Sequence, residues 1–593
     1  MSRMCACVFL SVCVLGPAGV SRADVIYVDA DAPVFGNGQT WATAYRSLAV
    51  GVAVAQAGDE IWVAEGNYTP PPTPGYFALP SGVSLLGGFT GTESSADERD
   101  WFAHRVILDG DVNGDDGPNF TNRADNTVTL IDVVGTDPGT LIDGVVFRGG
   151  FAPGGANADG GALRVFGGEI TITNCLFNEN IALDRGGAVF AGPGTVVVIR
   201  DSDFNSNGTS PASTAHTAGG GALWAEEATS LDIRGCGFTD NAALGDHPYL
   251  LGGAVTALFV DAALVRDCRF ESNRIGLGLG NALALYAANA DLVGCDFVGN
   301  DTSFASAAAA YSVITEDSGR TTVLASRFYG NGGTALAVVD VSSDIIETRA
   351  FIADSVFSAN GVGLQLAVNT DLRNCTVTGS NDPFIPYGVL IASSDVTIDN
   401  SILWGNSPLP VEGAQVFLVS GSLEVNRSIV QGWTGGIPGT GSFSADPLFV
   451  DADGADNVPG TDDDNLRLSP YSPAIDAGDN AALPPDAFDL DGDGNTAERL
   501  PIDVYGGPRR ADDASTADTG PGSAPIVDIG AAEFPLNSCL SDLNGDGLLD
   551  LTDISMFISA FLAGDDTVDL NGDGLLDLGD VILFVGFFGM GCP

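Results

Sequence analysis

The chain has 593 residues, with 77 acidic and 23 basic side chains and a formal net charge of −54 at pH 7. Such an acidic surface repels nucleic acid and anionic membranes, which we exclude as partners, and it attracts divalent cations. The length excludes a single ordinary compact domain unless the architecture is a repeat.

The first 23 residues have the pattern of a secretory signal peptide. Arg3 supplies a short basic region, residues 8–15 an apolar core, and residues 21–23 (Ser-Arg-Ala) a small-x-small cleavage site. A membrane anchor is the alternative interpretation, but a membrane span needs about 20 apolar residues. We therefore expect an exported protein that begins near Asp24, is secreted or displayed at the cell surface, and has no membrane span.

The segment after the predicted signal peptide reads VIYVDADAPVFGNGQTWATAYRSLAVGVAVAQAGDEIWVAEGNYTP. It resembles the start of bacterial pectate-lyase-like right-handed β-helix proteins. The resemblance implies a short helix at about residues 42–55 that closes the open end before the first strand, residues 60–64. Such a cap is expected because an uncovered β-helix end exposes a sheet edge.

The central part of the chain repeats a short phrase in three columns. A Cys or Ser column contains Cys175, Ser202, Cys236, Cys268, Cys295, Ser326, Ser355 and Cys375. A Phe column contains Phe177, Phe204, Phe238, Phe270, Phe297, Phe328 and Phe357. An Asn column contains Asn180, Asn207, Asn241, Asn273, Asn300, Asn331 and Asn360. Each copy alternates apolar and polar residues, as a strand does, and repeats of this length stack as a solenoid. The pattern predicts an all-β protein with a parallel β-helix over residues 24–450.

Each column has a physical role in such a solenoid. We expect the Phe rings to stack inside, and the Asn residues to tolerate left-handed backbone and to bond to their own turn and the next coil. The column cysteines should be buried thiols, because stacked parallel side chains do not converge for a disulfide. Between copies, Gly-Gly-Ala leaves space where the chain bends inward. The Gly-Gly-Ala and Phe-x-x-Asn phrases resemble the repeats of polymorphic outer-membrane proteins, which are β-helical surface adhesins.

The outward positions of the strands after Gly-Gly-Ala suggest a candidate glycan platform. If Leu163, Val189 and Leu223 point inward, two neighbouring columns point outward. These columns contain Arg164, Phe190 and Trp224, then Phe166, Glu226 and Tyr286. Aromatic faces bind sugar rings, but inserted loops that cover this stripe are the alternative. No catalytic motif is recognisable, so the sequence assigns no catalytic residue.

The segment over residues 451–536 is rich in Asp, and we expect it to close the β-helix. Its phrases LSPYSPAIDAGDN and VDIGAAEF resemble the end of the proteins often called choice-of-anchor proteins. Residues 451–465 should form a solvated cap loop. Two acidic loops are candidate weak calcium sites, although neither has a full 12-residue calcium loop. Their predicted ligands are Asp489, Asp491 and Asp493 in one, and Asp109, Asp111, Asn113 and Asp115 in the other.

The chain ends with one acidic phrase written twice, DLNGDGLLDLTD and DLNGDGLLDLGD. Both match an EF-hand-like calcium loop with ligands at positions 1, 3, 5, 7, 9 and 12 and Gly at position 6. The first set is Asp542, Asn544, Asp546, the carbonyl of Leu548, Asp550 and Asp553. The second is Asp569, Asn571, Asp573, the carbonyl of Leu575, Asp577 and Asp580. A pair of solvated acidic turns is the alternative.

An amphipathic helix should follow each loop. Its apolar positions are Ile554, Phe557, Ile558, Phe561 and Leu562 in the first helix, and Val581, Phe584, Val585 and Phe588 in the second. Two such units, with Asp at position 12 and the ending GMGCP, resemble a GC-type dockerin over residues 537–593. We expect calcium to control folding of this small module, and Cys539 and Cys592, which bracket it, to form a disulfide.

The dockerin resemblance implies docking to a cohesin-like or cell-surface partner. Cohesin recognition uses positions 10 and 11 of each loop, which are usually hydroxylic. Here they are Leu551-Thr552 and Leu578-Gly579, so ordinary cohesin recognition is in doubt.

Two functions remain open, because one β-helix scaffold hosts lyases, hydrolases and adhesins. The first is a secreted adhesin-like or glycan-binding protein. The second is a polysaccharide-degrading enzyme, either a lyase or a glycoside hydrolase, carried on a dockerin. An outer cleft with clustered carboxylates or Arg would favour the enzyme, and a smooth or covered face would favour binding.

Overall fold

The structure is a computed structural model that describes most of residues 24–590. Outside the described residues lie 118–119, 155–158, 211–216, 246–248, 303–307, 317–318, 342–348, 381, 383–386, 514–515, 535–540, 542, 544–548, 550, 565–567, 569, 571–574 and 577. The predicted signal peptide at residues 1–23 also lies outside them, as does the predicted disulfide between Cys539 and Cys592.

Successive coils of the chain place strands on three faces of a parallel β-helix. The first and second faces belong to one 22-stranded sheet, and the third face is a 13-stranded sheet. Strands of neighbouring coils pair in parallel, so that Phe177 lies beside Phe204 and Ile172 beside Ile199. At about 4.8 Å per coil, 13 strands span roughly 58 Å. The predicted all-β solenoid is confirmed.

The strand bounds follow the three faces. The first face contains Phe77–Pro80, Ile131–Val134, Leu163–Val165, Val189–Ala191, Leu223–Glu226, Ala308–Ile314, Thr334–Asp340 and Val362–Ala367. The second face contains Val25–Val28, Glu60–Ala64, Ser84–Phe89, Thr140–Asp143, Gly168–Thr173, Thr195–Arg200, Ser230–Arg234, Arg320–Leu324, Arg349–Ala353 and Asn369–Arg373. Four longer strands run across both, Val255–Arg266, Leu283–Val293, Val389–Asp399 and Val416–Asn426.

The third face and the smaller elements complete the fold. The third face contains Gly66–Tyr68, Val106–Asp109, Val145–Arg148, Leu176–Asn178, Asp203–Asn205, Gly237–Thr239, Arg269–Glu271, Asp296–Val298, Arg327–Tyr329, Val356–Ser358, Thr376–Thr378, Ile402–Trp404 and Ile429–Val430. Short parallel strands in the turns are Phe151–Ala152, Ile181–Ala182, Gly208–Thr209, Ala242–Ala243, Arg274–Ile275, Asp301–Thr302, Ala218–Gly219, Leu250–Leu251 and Gly278–Leu279. An antiparallel pair joins Phe449–Asp451 to Asn465–Leu468. The helices are Leu48–Val54, Glu412–Gln415, Leu551–Ala563 and Leu578–Met590, with 3-10 turns at Trp41–Thr43, Ala96–Glu98, Arg123–Asp125 and Asn480–Ala482.

The predicted Phe column forms a continuous stack inside the rod. Eight rings from Phe147 to Phe357 stack coil on coil, with centroids 4.5 to 4.9 Å apart and interplanar angles of 2° to 13°. Each ring is fully buried. Because fully buried aromatic side chains contribute large apolar areas, this stack is a major part of the core.

The Asn column forms a hydrogen-bonded ladder, but its backbone differs from our expectation. The side-chain nitrogen of Asn273 donates to the Phe238 carbonyl oxygen of the preceding coil and to Asn300 Oδ1 of the next, at 2.8 and 3.0 Å. The positive φ lies one residue earlier, at Ser272 (54°). The Asn is therefore selected for its side-chain amide and not for left-handed backbone.

The Cys column and the Gly-Gly-Ala phrases behave as predicted. Cys175, Cys236, Cys268, Cys295 and Cys375 are free thiols, and all five are buried. The first glycine of each phrase has positive φ, for example 60° at Gly220, and a Cβ at Gly221 would lie 2.1 Å from the Gly253 carbonyl oxygen. At Gly221, the backbone of the neighbouring coil therefore approaches too closely for any larger residue.

A helix covers the amino-terminal end of the rod, although it is shorter than predicted. It spans Leu48–Val54, and its buried Leu48 and Val52 belong to the rod's hydrophobic core. Glu60–Ala64 has the predicted bounds but is not the first strand, because Val25–Val28 precedes it and pairs with it in parallel. The helix therefore starts only after the chain has already formed one strand.

The acidic closing segment packs along the side of the rod. Arg266 donates to the Phe488 carbonyl oxygen at 2.7 Å, and Arg269 pairs with Asp462 at 2.6 Å. Asp464 accepts a hydrogen bond from Ser358 at 3.3 Å and is 7% exposed. The predicted solvated cap loop at residues 451–465 is therefore wrong in part, since it docks on the third face.

No helix among the described residues is long and apolar enough to cross a membrane.

Candidate functional site

The outward columns of the first face lie where the sequence placed them. Leu163, Val189 and Leu223 are in register and buried in the rod interior. One position on, Arg164, Phe190 and Trp224 form the neighbouring outward column. In the next outward column Glu226 aligns with Tyr286 through the intervening coil, and Phe166 lies against Gly192.

Inserted loops cover the centre of this predicted platform. Trp224 is 0% exposed and Phe190 2%, because Leu251 and Leu279 from two short loop strands pack against their rings. The Arg185 guanidinium lies 4.9 Å from the Phe190 ring and 5.9 Å from the Trp224 ring. The prediction of an exposed aromatic platform is therefore wrong at these two residues, and the covered alternative is correct.

The charged groups of the same stripe are compensated. Arg164 makes two hydrogen bonds of 3.0 Å to Asp132, and Arg185 pairs with Asp159 and Glu226. Phe166 is 49% exposed, whereas Glu226 and Tyr286 are half-buried. The stripe therefore offers one exposed ring and ion-paired charges to a ligand.

A polar pocket of about 500 Å³ lies between the last coils of the rod and the closing segment. Its lining residues are Arg373, Asp399, Asn400, Asn426, Arg427, Thr440, Asp479, Ala481, Ala482 and Pro521. Its volume falls within the range of small-ligand sites, and several polar groups converge on it. Sequence reasoning missed this pocket because its walls come from six separated stretches of chain with no shared motif.

The two Asn side chains build the pocket walls. The Asn400 side-chain amide makes two hydrogen bonds to the backbone of Asp479. Its Oδ1 accepts from the Asp479 N–H at 2.7 Å, and its Nδ2 donates to the Asp479 carbonyl oxygen at 3.0 Å. Asn426 accepts from the backbone N–H of Thr440 at 2.9 Å and donates to Asp399 Oδ1 at 3.2 Å. These bonds fix the closing segment and the last coil around one cavity.

The two arginines of the pocket differ in their pairing. Arg373 pairs with Asp371 at 3.2 Å and with Asp399 at 3.8 Å. Within the part of the chain that the structure describes, Arg427 forms no ion pair, and it donates to the Thr519 carbonyl oxygen at 3.4 Å. Burial raises the pKa of Asp399 although the Asn426 hydrogen bond and the Arg373 charge oppose the rise. The pocket therefore combines an uncompensated cation with a carboxyl group that takes up a proton more readily than usual.

The predicted acidic loop in the closing segment brings its carboxylates together. Oxygens of Asp489, Asp491 and Asp493 lie within 4.8 Å of one another, and Asp486, Asp491 and Glu498 form a second, overlapping group. Loss of solvation and the neighbouring aspartates raise the pKa of Glu498. Carboxylate oxygens are the ligands that calcium prefers, so these residues fit a hard divalent cation. The sequence missed the two outer members, Asp486 and Glu498.

The predicted loop at residues 109–115 has a different ligand set. Asp109 pairs with Arg148 across neighbouring strands and accepts from the Asp111 N–H at 3.3 Å, and it is not a member of the converging group. Asp111 and Asp115 instead converge with Asp116, and Asp116 pairs with Arg123 at 2.7 Å. Because Arg123 already neutralises Asp116, this loop has less uncompensated negative charge to attract a cation than the loop after Asp486 has.

The carboxy-terminal module shows the two helices that the sequence predicts after its loops. Asp553 and Asp580, the predicted position-12 ligands, lie in the first turns of these helices and are fully buried. The backbone N–H of Leu570 donates to Asp580 Oδ1 at 2.8 Å, and Leu575 is exposed. The other predicted ligands lie outside the described residues: Asp542, Asn544, Asp546, Leu548, Asp550, Asp569, Asn571, Asp573 and Asp577.

The helices of this module pack through aromatic residues but leave an apolar groove. The rings of Phe557 and Phe584 stack with centroids 4.1 Å apart. Ile558, Leu562 and Val585, which we expected on the buried faces, are more than half exposed and line a groove of about 440 Å³. The position-10 residues Leu551 and Leu578 are also exposed, at 75% and 68%.

A comparison with protein-family models supports the β-helix fold. Residues 161–345 and 253–403 match the family model described as a right-handed β-helix region. Similar solved structures include the pectate lyase Pel9A, at 15% identity over 87% of this chain and 98% of that chain, with a TM-score of 0.33. A rhamnogalacturonan lyase shares 12% identity over 76% and 97%, with a TM-score of 0.27.

The similar structures also include a protein of another class. PfbA, a surface adhesin of Streptococcus pneumoniae, shares 9% identity over 64% of this chain and 86% of that chain, with a TM-score of 0.26. A search of curated protein sequences gives no match. At identities and TM-scores this low, the likenesses carry no argument about what this chain does.

Proposed function

We propose that this chain is an exported, extracellular β-helix protein that binds a polysaccharide segment in the polar pocket between the rod and its closing segment. The observation that carries the proposal is the pocket itself, which has about 500 Å³ and is lined by Arg373, Arg427, Asp399 and Asp479. Sugars are bound through convergent hydrogen-bonding groups held on a rigid scaffold, and a β-helix with its closing segment supplies such a scaffold.

Arg427 indicates the chemistry of the ligand. Its guanidinium has no carboxylate partner among the described residues, whereas Arg373 is paired with Asp371. A guanidinium binds carboxylate or sulfate oxygens through paired hydrogen bonds. The ligand we propose is therefore a glycan that carries an acidic sugar. Its anionic group would lie opposite Arg427, whose unpaired charge attracts it locally although the surface as a whole is acidic.

We propose that the carboxy-terminal module attaches the rod to a cohesin-like or other cell-surface partner in a calcium-dependent way. Support comes from the two loop-plus-helix units and from the burial of Asp553 and Asp580, their final predicted ligands. A cation stabilises a carboxylate that is buried in a small core. A core of this size also needs an additional stabilising element, such as a bound metal ion, in order to fold. Calcium is therefore the proposed cofactor of the module.

Binding of purified mature protein to polyuronates, sulfated glycans and neutral polysaccharides tests the glycan proposal. Co-sedimentation with an acidic glycan is expected, and Arg427→Ala should weaken the affinity at least tenfold. Arg320→Ala is the matched control, because Arg320 is an exposed rod arginine that pairs with Asp291 at 3.2 Å. Equal binding by the Arg427→Ala variant, or binding by none of the glycans, would refute the proposed site.

A polysaccharide-degrading enzyme is the second candidate function, and Asp399 favours it. Burial raises the pKa of this pocket carboxyl, which is the direction of shift that a general acid needs. A lyase or a glycoside hydrolase would generate new reducing ends in the same assay, and Asp399→Asn should abolish them. Binding without any product would leave the first candidate as the function.

A further inference from the structure

A second acidic group lies in the closing segment, at a distance in sequence from every predicted calcium loop. Carboxylate oxygens of Asp476, Asp512 and Asp518 all lie within 4.8 Å of one another. Asp476 follows the buried residues Ala474 and Ile475, and its carbonyl oxygen accepts from the N–H groups of residues 519 and 520 at 2.9 and 3.1 Å. Residues 519 and 520, directly after Asp518, are thus held against Asp476.

Asp476 differs from an ordinary member of a surface acidic cluster. Its residue is 0% exposed, and neither carboxylate oxygen forms a hydrogen bond or ion pair of good geometry within the described part of the chain. Loss of solvation and the charges of Asp518, Asp512 and Asp513 raise its pKa to about 7, and the nearby amide of Asp513 offsets this only in part. A buried carboxylate without a partner is costly, so this group calls for either a proton or a cation.

Within the described ranges, no basic side chain is paired with these three carboxylates. The sequence contains no lysine. Arg427, which bonds to the carbonyl oxygen of Thr519 just beyond Asp518, points its guanidinium at the backbone. The buried arginine of the segment, Arg509, is already paired with Asp354 and Glu533. Arg510, two residues before Asp512, donates to the carbonyl oxygens of Ser523 and Pro525. Among the described residues, Asp476, Asp512 and Asp518 therefore concentrate negative charge without a paired cationic side chain.

We propose that Asp476, Asp512 and Asp518 bind a calcium ion that holds the last loop of the closing segment against the stretch before Asp476, whose Ala474 and Ile475 pack on the rod. Calcium takes oxygen ligands at 2.3–2.6 Å, so two oxygens bound to one ion lie at most about 5 Å apart, and the three carboxylates meet that limit. Asp476 supplies a ligand from the buried side, and the exposed Asp512 and Asp518 supply ligands from the loop. Backbone carbonyls and water complete the shell of six to eight oxygens.

The position of the site indicates its role. Thr519 follows the third ligand, Asp518, and its carbonyl oxygen accepts a hydrogen bond from the pocket residue Arg427. Pro521, two residues further on, lines the polar pocket itself. A cation here fixes one wall of that pocket. The inference goes beyond the proposed function, since the ion would stabilise the closing segment whether or not a glycan binds.

Calcium alone is the probe in the test, and the full mature chain is used. Bound calcium is counted after gel filtration at a pH above 7 for the natural sequence and for Asp476→Asn, Asp518→Asn and Asp453→Asn. Asp453 is an exposed aspartate of the same closing segment outside every converging group, and serves as the control. The count should fall by one equivalent in Asp476→Asn and in Asp518→Asn, and stay unchanged in Asp453→Asn.

Limited proteolysis with mass-spectrometric mapping gives a readout specific to the loop. Calcium should slow cleavage within residues 511–520 at least tenfold in the natural sequence, and this protection should be lost in Asp518→Asn. Since Asp518 is exposed, that variant should fold even if Asp476→Asn does not. An unchanged calcium count and unchanged protection in Asp518→Asn would overturn the proposal and indicate that Asp476 is simply a protonated acid.

Discussion

The guanidinium Nε of Arg509 lies 2.8 Å from Oδ1 of Asp354, and both side chains are fully buried. Arg509 belongs to the closing segment and Asp354 to a turn of the rod. The same guanidinium lies 2.6 Å from Glu533 Oε2 and donates to the Gly530 carbonyl oxygen at 2.6 Å. This network fastens the closing segment to the rod.

Replacing Arg509 by methionine should destabilise the rod strongly. The variant leaves the carboxyl groups of Asp354 and Glu533 buried without their cation, and breaking a buried pair in this way costs about 3–5 kcal/mol. Urea unfolding followed by tryptophan fluorescence measures the change in the free energy of unfolding.

Arg320→Met is the control for this experiment. Arg320 pairs with Asp291 at the surface, with 52% of its side chain exposed, and an exposed pair contributes at most about 1 kcal/mol. A loss of similar size in both variants would show that the buried network does not hold the closing segment in place.

Asp464 should make the stability of the protein fall as the pH rises from about 4 to 6. Burial raises its pKa to about 6, although Gly460 and Ser358 donate hydrogen bonds to it. An unfolded Asp titrates near 3.9, so the folded state binds the extra proton between these two values. The stabilising contribution is complete below the lower value and is lost as the pH passes the upper one. Asp464→Asn should flatten this part of the stability profile, measured by urea unfolding across the range.

The exposed residue Asp453 provides the comparison, because Asp453→Asn should leave the slope unchanged. A slope that persists undiminished in Asp464→Asn would assign the pH dependence to other carboxyl groups.

Asn273→Ala should destabilise the middle of the rod by about 3 kcal/mol, since each buried polar group left unpaired costs about 1–3 kcal/mol. The substitution removes the acceptor of the Asn241 backbone and side-chain N–H groups, both at 3.0 Å. It also removes the donor to the Phe238 carbonyl oxygen. Thermal unfolding followed by circular dichroism measures the loss. Asn37→Ala, at an exposed Asn of the first turn, should change stability little, and an equal effect at both positions would contradict a structural role for the ladder.

The sequence predicts the interior of the rod well because each interior position repeats the same chemistry. Phe204 stacks on Phe238 and Asn207 bonds to Asn241 in each successive coil, so a column of identical residues is enough to predict a ladder. The alternation of apolar and polar residues also places Trp224 on the outward side correctly.

The structure of the outer surface depends on contacts between segments that are distant in sequence. The pattern within one repeat does not predict such contacts. Leu251 and Leu279 cover Trp224 from loops whose lengths vary between coils, and no periodic signal marks them. The polar pocket joins Arg427 to Asp479, and the buried Asp476 meets Asp518. In each case the second partner comes from the closing segment, whose path along the rod is set by tertiary packing.

Trp224→Ala should reduce stability rather than abolish glycan binding directly, because the ring lies under inserted loops. Truncation leaves a large cavity and should cost about 3–5 kcal/mol. Trp224→Phe should be tolerated within about 1.5 kcal/mol, since it keeps most of the ring volume and removes a buried indole N–H that has no partner among the described residues. Unfolding curves and glycan co-sedimentation on the same samples separate the two effects.

Phe166→Ala is the matched comparison, since Phe166 is 49% exposed in the neighbouring column. Its substitution should leave stability nearly unchanged. If Trp224→Ala keeps full stability while binding is lost, the covering loops open in solution and the ring contacts glycan after all.

Removing calcium should unfold the carboxy-terminal module while the rod keeps its fold. Helices Leu551–Ala563 and Leu578–Met590 are the longest among the described residues, so chelator should reduce the helical circular dichroism signal and leave the strand signal. Asp580→Ala should reproduce the chelator effect at saturating calcium, because Asp580 is a fully buried carboxylate at the last predicted ligand position. The hydrogen bond that it accepts from the Leu570 N–H at 2.8 Å does not neutralise its charge. Asp97→Ala, at an exposed rod aspartate, should keep the full helical signal. A module that stays helical in chelator would show that its hydrophobic contacts, centred on Phe557 and Phe584, suffice without the ion.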